Sequence, residues 1–382
     1  MVYKHYSIFY KIIVHIFFIR YFIFLQIPDE DISRLFSIKK GRIFLNLCLK
    51  DKPIQKISKI NDFLPLISII IPVYNCGEKI KYTISSIQNQ SIKNLEIILV
   101  NDFSQDNTFD ILRNIKSQDN RIKIIDNKIN KGTLYSRNIG VLSSKGKYIF
   151  QIDNEDMFFE NNILRKVYKE ALKSKIEIIG FKAIRGNSYF SKDIEMYDDP
   201  FHMHTNNLII KQPELGFFSI YNNDCHIWGK CIFNKLYKKA INILGKERYD
   251  EKICIAEDDI IVFILFQLSN SYKFISKYGI FHLMSPQSTS QTLSRSYISY
   301  CQLYHIKIVY EFSENSLEGK KVTADQLSYI CQSTTFCNSL DYKSISLLKS
   351  LMYSILKNKF FPKKIKQNLV INYIQCIFFQ NK

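Results

Sequence analysis

The stretch Gln151-Ile152-Asp153-Asn154-Glu155-Asp156 places three carboxylates within four residues, directly after the apolar run Tyr148-Ile149-Phe150. Carboxylates this close repel one another. Inside a packed domain the repulsion is relieved by protonation, by a basic partner or by a divalent ion with oxygen ligands. An acidic turn left in solvent is the plainer account of such a triplet taken alone. Three other side chains suit a phosphorylated or aromatic ligand: Arg137 has a guanidinium that can fork onto phosphate oxygens, Tyr74 offers a flat face for a base, and Asp102 offers an acceptor to a base or ribose. Singly, these read as well as a surface charge, a core aromatic and a helix-capping carboxylate.

The elements that would position these residues alternate. Leu66 to Val73, Leu95 to Val100, Arg121 to Ile125 and Lys147 to Ile152 have the pattern of buried parallel strands. Each precedes a stretch with apolar residues at three- and four-residue spacing: Gly77 to Gln90, Asp106 to Ser117, Thr133 to Ser144 and Glu160 to Lys173. A further apolar run, Ile176 to Phe181, closes the series. This alternation predicts an open α/β sheet of right-handed βαβ units, in which ligands bind beyond the carboxyl ends of the strands. Tyr74-Asn75, Asn101-Asp102, Asn130 to Arg137 and the acidic cluster would therefore share one edge. The first βα turn, Pro72 to Gly77, has neither a G-x-G-x-x-G fingerprint nor a Walker lysine, so a glycine cradle for phosphate is excluded there.

The run from Pro65 to about Phe181 resembles the nucleotide-binding half of the inverting family 2 glycosyltransferases. The resemblance rests on Ile71-Pro72-Val73-Tyr74-Asn75, Ser85 to Gln90, Val100-Asn101-Asp102-Phe103-Ser104-Gln105-Asp106, Asn130-Lys131-Gly132 with Ser136-Arg137-Asn138, and Gly146-Lys147-Tyr148-Ile149 leading into the acidic cluster. It implies a GT-A fold: a Rossmann-like nucleotide-binding half and an acceptor-binding half in one continuous α/β domain, here followed by a helical C-terminal extension. By position, Tyr74 would stack on uracil, with Pro72 and Asn75 in the same donor-binding turn. Asp102 would contact the base and Arg137 the diphosphate. Asp153, Glu155 and Asp156 fall on the metal cluster, with Asp153 and Asp156 as ligands and Glu155 beside the substrate. The ion would be Mn2+ or Mg2+, which take hard oxygen ligands.

In the second half, Trp228-Gly229-Lys230 followed by Asn234-Lys235-Leu236-Tyr237 is similar to the tryptophan-lysine element before the family's acceptor-side helix. Ala256-Glu257-Asp258-Asp259 opens the apolar stretch Ile260 to Leu268, where acidic residues in a first helical turn also simply complement the macrodipole. The resemblance implies that Asp258 is the general base and that Glu257 orients the acceptor or a loop, with Trp228 on the substrate side. His282, after Phe281, is a candidate third metal ligand, although a lone His is more often a satisfied structural residue. Three positions depart from the family pattern: Asn101 stands for an aspartate, Phe103 for a glycine, and Glu155 for an aspartate one methylene shorter.

The implied activity is metal-dependent transfer of a sugar from a nucleotide-diphosphate sugar, UDP the expected nucleotide, to a hydroxyl of a glycan, lipid or protein acceptor with inversion. A catalytically inactive relative that binds sugar nucleotide or glycan is the alternative. A nucleotidyltransferase for sugar phosphates would want a glycine- and lysine-rich first loop, which is missing. The expected layout is an N-terminal region at 1–64, the catalytic domain at 65–300 divided into a nucleotide-binding half at 65–181 and an acceptor half at 182–300, and the helical extension at 301–382.

Fifty-three Lys and Arg against 35 Asp and Glu give a formal charge of +18, yet no zinc-finger spacing, RNP-type strand or dense basic helix is present, which argues against nucleic acid as partner. Nine cysteines without a CxxC pair read as buried thiols. Ile8 to Ile27 is apolar and aromatic but holds Lys11, His15 and Arg20. About ten favourable residues at roughly −0.3 to −0.6 kcal/mol each oppose about +2.5 to +3.5 kcal/mol for Arg20, a slightly favourable balance for insertion. With Ile12 to Leu25 as the membrane core, Lys4 and Lys11 before it and Asp29-Glu30-Asp31 after it orient the catalytic domain to the luminal or extracytoplasmic side as a single-pass signal-anchor; an interfacial helix on a cytoplasmic protein is the alternative. The expected outcome is that the full chain resists alkaline carbonate extraction from membranes while a chain starting near Lys59 is released; release of the full chain would reject the anchor.

Overall fold

The computed structural model describes residues 40–45, 64–187, 196–198, 209–211, 226–284, 293–313, 323, 327, 330–332, 334–358 and 363–380. The segment 8–27 lies outside the described residues. Among the described residues no helix is long and apolar enough to cross a membrane.

Two β-branched runs form the middle of the sheet because they are buried on both faces, as parallel strands covered by helices must be. Strands β1 (Ile67–Val73) and β2 (Leu95–Asn101) are buried at all seven positions each. They pair in parallel, Ile67 with Leu95 through Val73 with Asn101. Strand β3 (Ile122–Asp126) adds to β2, and β4 (Tyr148–Gln151) adds to the other side of β1, both in parallel. The helices between them are α1 (Ile80–Gln88), α2 (Thr108–Gln118) and α3 (Thr133–Ser143), with a 3-10 turn at Gly77–Lys79 ahead of α1. The chain thus moves outward from β1 in both directions. Between β1 and β4 lies the topological switch point where such sheets open a crevice.

Pro72 sits near the end of β1 at no cost to the ladder. The Val73 carbonyl accepts from Asp102 on the β2 side and the Ile70 carbonyl accepts from Ile152 on the β4 side, so alternation turns Pro72 toward β4. The β1–β4 ladder has ended at Ile70 and Gln151, so no N–H is missed.

Beyond β4 the sheet departs from a simple parallel series. The run starting near Ile176 does form a strand, β6 (Ile178–Gly186), but it does not join β4. Strand β9 (Lys230–Phe233) lies between them, antiparallel to both. The long strand β10 (Ser271–Leu283) pairs in parallel with β6, and the order is β3-β2-β1-β4-β9-β6-β10-β5, with β5 at Met157–Phe158. Two short strands lie off this path: β7 (Met196–Asp198) on β6 and β8 (Ile209–Lys211) on β10. Four residues of β9 were too few and too ordinary to stand out in the sequence.

Helices cover both faces. α1, α2 and α4 (Ile163–Ser174) pack their Ile and Leu side chains on Ile69, Ile71, Ile97 and Leu99. On the other face α3, α5 (Asn234–Leu244), α7 (Glu257–Leu268) and α8 (Arg295–Phe312) cover Ile70, Ile98 and Val100, with the short α6 (Lys246–Tyr249) between α5 and α7. From Ile260 to Phe266 every residue of α7 is buried, as expected of a helix apolar all round. A separate apolar cluster joins α8 to α9 (Thr334–Cys337), α10 (Tyr342–Lys357) and α11 (Lys363–Gln380), and a Cys337–Cys376 disulfide links α9 to α11. The basic excess is not drawn to the acidic cluster alone: a cavity of about 540 Å3 between α4 and the first half of β10 carries Lys166, Lys169, Lys173, Lys273 and Lys277.

The register of β4 is set by one buried carboxylate. Glu96 on β2 accepts from the Ser68 hydroxyl at 2.6 Å, from the Lys145 and Gly146 amides at 2.5 and 3.1 Å, and from Lys123 at 2.5 Å. Gly146 is required there, since a Cβ would sit 2.5 Å from the Ile67–Ser68 backbone. Burial alone would raise the Glu96 pKa, but Lys123, Ser68 and the Lys145 amide hold it below the ordinary value. A depressed carboxylate contributes stability above its unfolded pKa and loses it as pH falls through the folded one. Glu96→Gln should therefore cost about 1–3 kcal/mol at pH 7, read from the urea midpoint, and the gap to the parent should narrow as pH drops below about 4. An unchanged midpoint at pH 7 would remove Glu96 from this role.

Candidate active site

The three carboxylates of the acidic cluster resolve their repulsion by parting, each toward a different cation. Asp153, just past β4, accepts from Arg137 Nη2 at 2.7 Å. Glu155 bridges to Lys79 at 2.9 Å, in the 3-10 turn before α1. Asp156 is 1% exposed and faces the imidazole of His282, whose Nδ1 lies 3.1 and 3.0 Å from its two oxygens, while the Leu283 amide donates at 3.0 Å. Burial raises the Asp156 pKa. Burial would lower that of His282, but Asp156 outweighs it and holds the imidazole up at about 9. Trp228 lies flat on the same ring, centroids 5.0 Å apart and planes 8° apart, so Trp228, His282 and Asp156 form one stack at the end of β10. Among the described residues no group of three or more His, Cys, Asp or Glu is arranged as a metal cage.

Arg137 is the centre of the site. It lies on α3, 3% exposed, which a surface charge would not. Nη1 donates to Gln151 Oε1 at 2.9 Å and Nη2 to Asp153. Its Nε faces the first turn of α7, 3.4 Å from Asp258 Oδ1 and 3.8 Å from Glu257 Oε1. Neither Arg137 Nε nor Asp258 Oδ1 makes a hydrogen bond, so the two face each other close but unbonded. Asp258 Oδ2 accepts from the Ile227 amide at 3.0 Å, which ties α7 to the Trp228 segment. Burial pushes both acids up, Glu257 to about 8 and Asp258 to about 6, with Asp258 raising Glu257 further and Arg137 lowering both. The two acids share one buried cation and repel each other, so they titrate as a pair.

Asp102 and Tyr74 end up in contrasting places. Asp102 is buried, and its carboxylate accepts from Asn127 Nδ2 at 2.9 Å, the Lys131 amide at 2.8 Å and the Gly132 amide at 2.7 Å. It holds the loop that starts α3, and so sets where Arg137 emerges. Gly132 keeps φ +89° and a Cβ there would meet the Ile253 carbonyl at 2.9 Å. Tyr74 is 45% exposed beyond β1. Asn75 joins its loop to the next one: its amide donates to Ser104 Oγ at 3.1 Å, and its side-chain carbonyl accepts from the Gln105 amide at 2.8 Å.

The structure thus brings Arg137, Asp153, Glu257 and Asp258 into direct contact and Asp156, Trp228 and His282 into a second group, while Glu155 turns away to Lys79. Sequence reasoning missed Gln151 and Tyr237. Gln151 receives Arg137 on its carbonyl and donates its amide to the Tyr237 hydroxyl at 2.6 Å, deep in the core. The polar Gln at the end of the apolar run Tyr148-Ile149-Phe150 was the available signal.

Comparison with known proteins finds glycosyltransferases. Residues 68–240 match the sequence model of the family described as Glycosyl transferase family 2, a span that ends before Glu257 and Asp258. The chain is 38% identical over 191 residues to an uncharacterized glycosyltransferase of Haemophilus influenzae, covering 46% of this chain and 57% of the relative. It is 28% identical over 186 residues to glycosyltransferase GlyG of Streptococcus pneumoniae, covering 49% and 58%. It is 39% identical over 105 residues to the Escherichia coli UDP-Glc:alpha-D-GlcNAc-diphosphoundecaprenol beta-1,3-glucosyltransferase WfaP, covering 28% and 41%. The chain therefore spans well under two thirds of these relatives' lengths. In fold it is similar to Staphylococcus aureus TarS 1-349 in complex with UDP-GlcNAc, with a TM-score of 0.61 and 14% identity over 82% of this chain and 89% of that one.

Gln151→Leu should leave one Arg137 nitrogen and the Tyr237 hydroxyl buried without partners. The expected cost is about 1–3 kcal/mol of stability, read by chemical denaturation. Tyr237→Phe, which removes only the hydroxyl, should cost less. Equal midpoints for the Leu variant and the parent would show that Gln151 does not hold the guanidinium.

Proposed function

We propose that residues 68–240, which match the model of the family described as Glycosyl transferase family 2, form a glycosyltransferase domain, and that the chain transfers a sugar from a UDP-sugar to an acceptor hydroxyl in glycan synthesis, inverting the anomeric carbon. The observation that carries this reading is Arg137. It joins a strand-end carboxylate, Asp153, to the acidic first turn of α7, so donor-side and acceptor-side groups share one buried charge cluster.

Each residue then has a task. Tyr74, exposed beyond β1, lies where a base would stack. Pro72 ends the β1–β4 ladder and lets the crevice open, while Asp102 and Asn75 fix the two loops that border it. Arg137, whose guanidinium already faces Gln151, Asp153 and the α7 acids, holds those groups in place and sets a positive charge behind the donor's diphosphate. Asp258, ionised at neutral pH, takes the acceptor proton as its oxygen attacks the anomeric carbon from the side opposite the nucleotide, and a single displacement inverts that centre. Glu257 shares the Arg137 cation with Asp258 and titrates with it as a pair. Trp228, stacked on His282, closes the floor between the two sides.

A divalent ion, manganese or magnesium, would take the oxygens of Asp153 and Asp156, two carboxylates close enough to repel each other, with His282 the candidate third ligand once it gives up the proton that Asp156 favours. Glu155, held by Lys79, is not part of that set. When bound, the ion would offset the diphosphate charge and improve the leaving group. The diphosphoundecaprenol named for the WfaP relative supports a lipid-linked glycan as acceptor class.

The test compares parent and Asp258→Asn with a panel of nucleotide sugars and manganese, following UDP release and, by calorimetry, UDP binding. The parent rate should rise through about pH 6 as Asp258 ionises, and flatten above it. Asp258→Asn should lose about 10²- to 10⁴-fold in rate with UDP affinity kept. Turnover within about threefold of the parent would place the base elsewhere, and UDP binding by a parent with no turnover on any donor would sink the catalytic reading.

A further inference from the structure

Among the described residues four non-glycine positions have positive φ: Asn75, Phe103, Lys175 and Ala256. Three of them border the site. Asn tolerates the left-handed region, and Ala256 begins α7. Phe103, at φ +64°, is the outlier, because a bulky side chain there is strained and the turn would be made more cheaply by glycine.

Packing does not explain the choice. Phe103 is 43% exposed and, among the described residues, its ring meets the face or edge of no other aromatic. Its neighbours hold the turn without using the ring: Asn101 Oδ1 accepts from the Ser104 amide at 3.3 Å and Gln105 Nε2 donates to the Phe103 carbonyl at 3.0 Å. The backbone is therefore held in a strained conformation and displays an apolar ring to solvent. Strain of this kind gathers at binding sites, where it is part of the function.

Tyr74, 45% exposed, follows the neighbouring strand β1 as Phe103 follows β2. The Asp102 amide donates to the Val73 carbonyl at 2.8 Å just before the two aromatics, and the Asn75 amide donates to Ser104 Oγ just after them. Two cross-loop bonds thus bracket Tyr74 and Phe103, one on each side, and both aromatics are exposed just past the ends of adjacent strands. Two exposed aromatics on tied backbones can take a flat ring by stacking.

We propose that Phe103 is a second aromatic wall of the donor-nucleoside pocket, which with Tyr74 grips a pyrimidine base from two sides. This rests on the nucleotide-sugar reading given above. Stacking on an aromatic ring is tolerant of base identity and depends on the π face more than on apolar bulk.

The experiment measures Kd for UDP, uridine and inorganic pyrophosphate, each with manganese, on the parent, Phe103→Gly and Phe103→Leu, together with the melting temperature. Loss of a stacking partner should weaken UDP and uridine by the same factor, at least about fivefold, in both variants, and leave pyrophosphate unchanged. The melting temperature of Phe103→Gly should be kept or raised, because glycine relieves the strain at this φ. UDP and uridine affinities within twofold of the parent in Phe103→Gly would overturn the assignment while leaving the donor reading intact. Equal weakening of all three ligands, or a melting temperature that falls with the affinity, would show a structural turn residue and overturn it as well. A parent chain that binds neither UDP nor uridine would remove the donor reading and this wall with it.

Discussion

The site depends on a guanidinium buried among acids. Arg137 is surrounded by Asp153, Glu257 and Asp258, with a glutamine for its remaining edge. Taking such a charge out of water costs several kcal/mol, returned only if its partners are fixed and close. That requirement reaches outward. Asp102 and Gly132 must start α3 at the correct place, Glu96 and Gly146 must hold β4 in register so that Gln151 and Asp153 arrive together, and the Ile227 amide must pin Asp258 at the head of α7. Much of the polar interior serves to keep one cation in position.

The same logic explains the departures from the family pattern. Asn101, in place of an aspartate, donates to Asp126 at 2.8 Å, so an amide joins β2 to β3 where two carboxylates would have repelled each other. Glu155, one methylene longer than an aspartate, reaches Lys79 across the loop. Both residues thus find a partner close by. Only at Phe103 does the local rule stay broken, which is where sequences tend to give up consistency for binding.

Much of this was legible from the residues. The alternation of buried runs and amphipathic stretches gave β1 to β4 and α1 to α4 with ends off by a few residues, because central parallel strands are continuous apolar runs and their helices carry a strong 3.6-residue period. The convergence of Tyr74, Asp102, Arg137 and the acidic cluster on one edge followed from topology alone. What the pattern could not show was partnership. A cluster of acids asks for cations without naming them, and Lys79, Arg137 and His282 answer from 76, 16 and 126 residues away, where only tertiary packing brings them. The link from Arg137 to α7 was invisible for the same reason, as was the antiparallel β9, whose four residues carry no period of their own.

That inserted strand has a consequence for how the chain acquires its shape. β4 and β6 are made early, yet each must leave an edge open until β9 arrives, some eighty residues after β4 and fifty after β6. During synthesis at about 5–20 residues per second, that interval lasts several seconds at least. Through it the hydrogen-bonding edge of β4, with Ile149 and Phe150, is a template for any extended neighbour. The nascent polypeptide is therefore most exposed to mispairing and to chaperone capture in this window, before Lys230–Phe233 leaves the ribosome and closes the seam. Slowing translation just upstream of Trp228 should lengthen that exposure, and a lone N-terminal half would carry the open edge permanently.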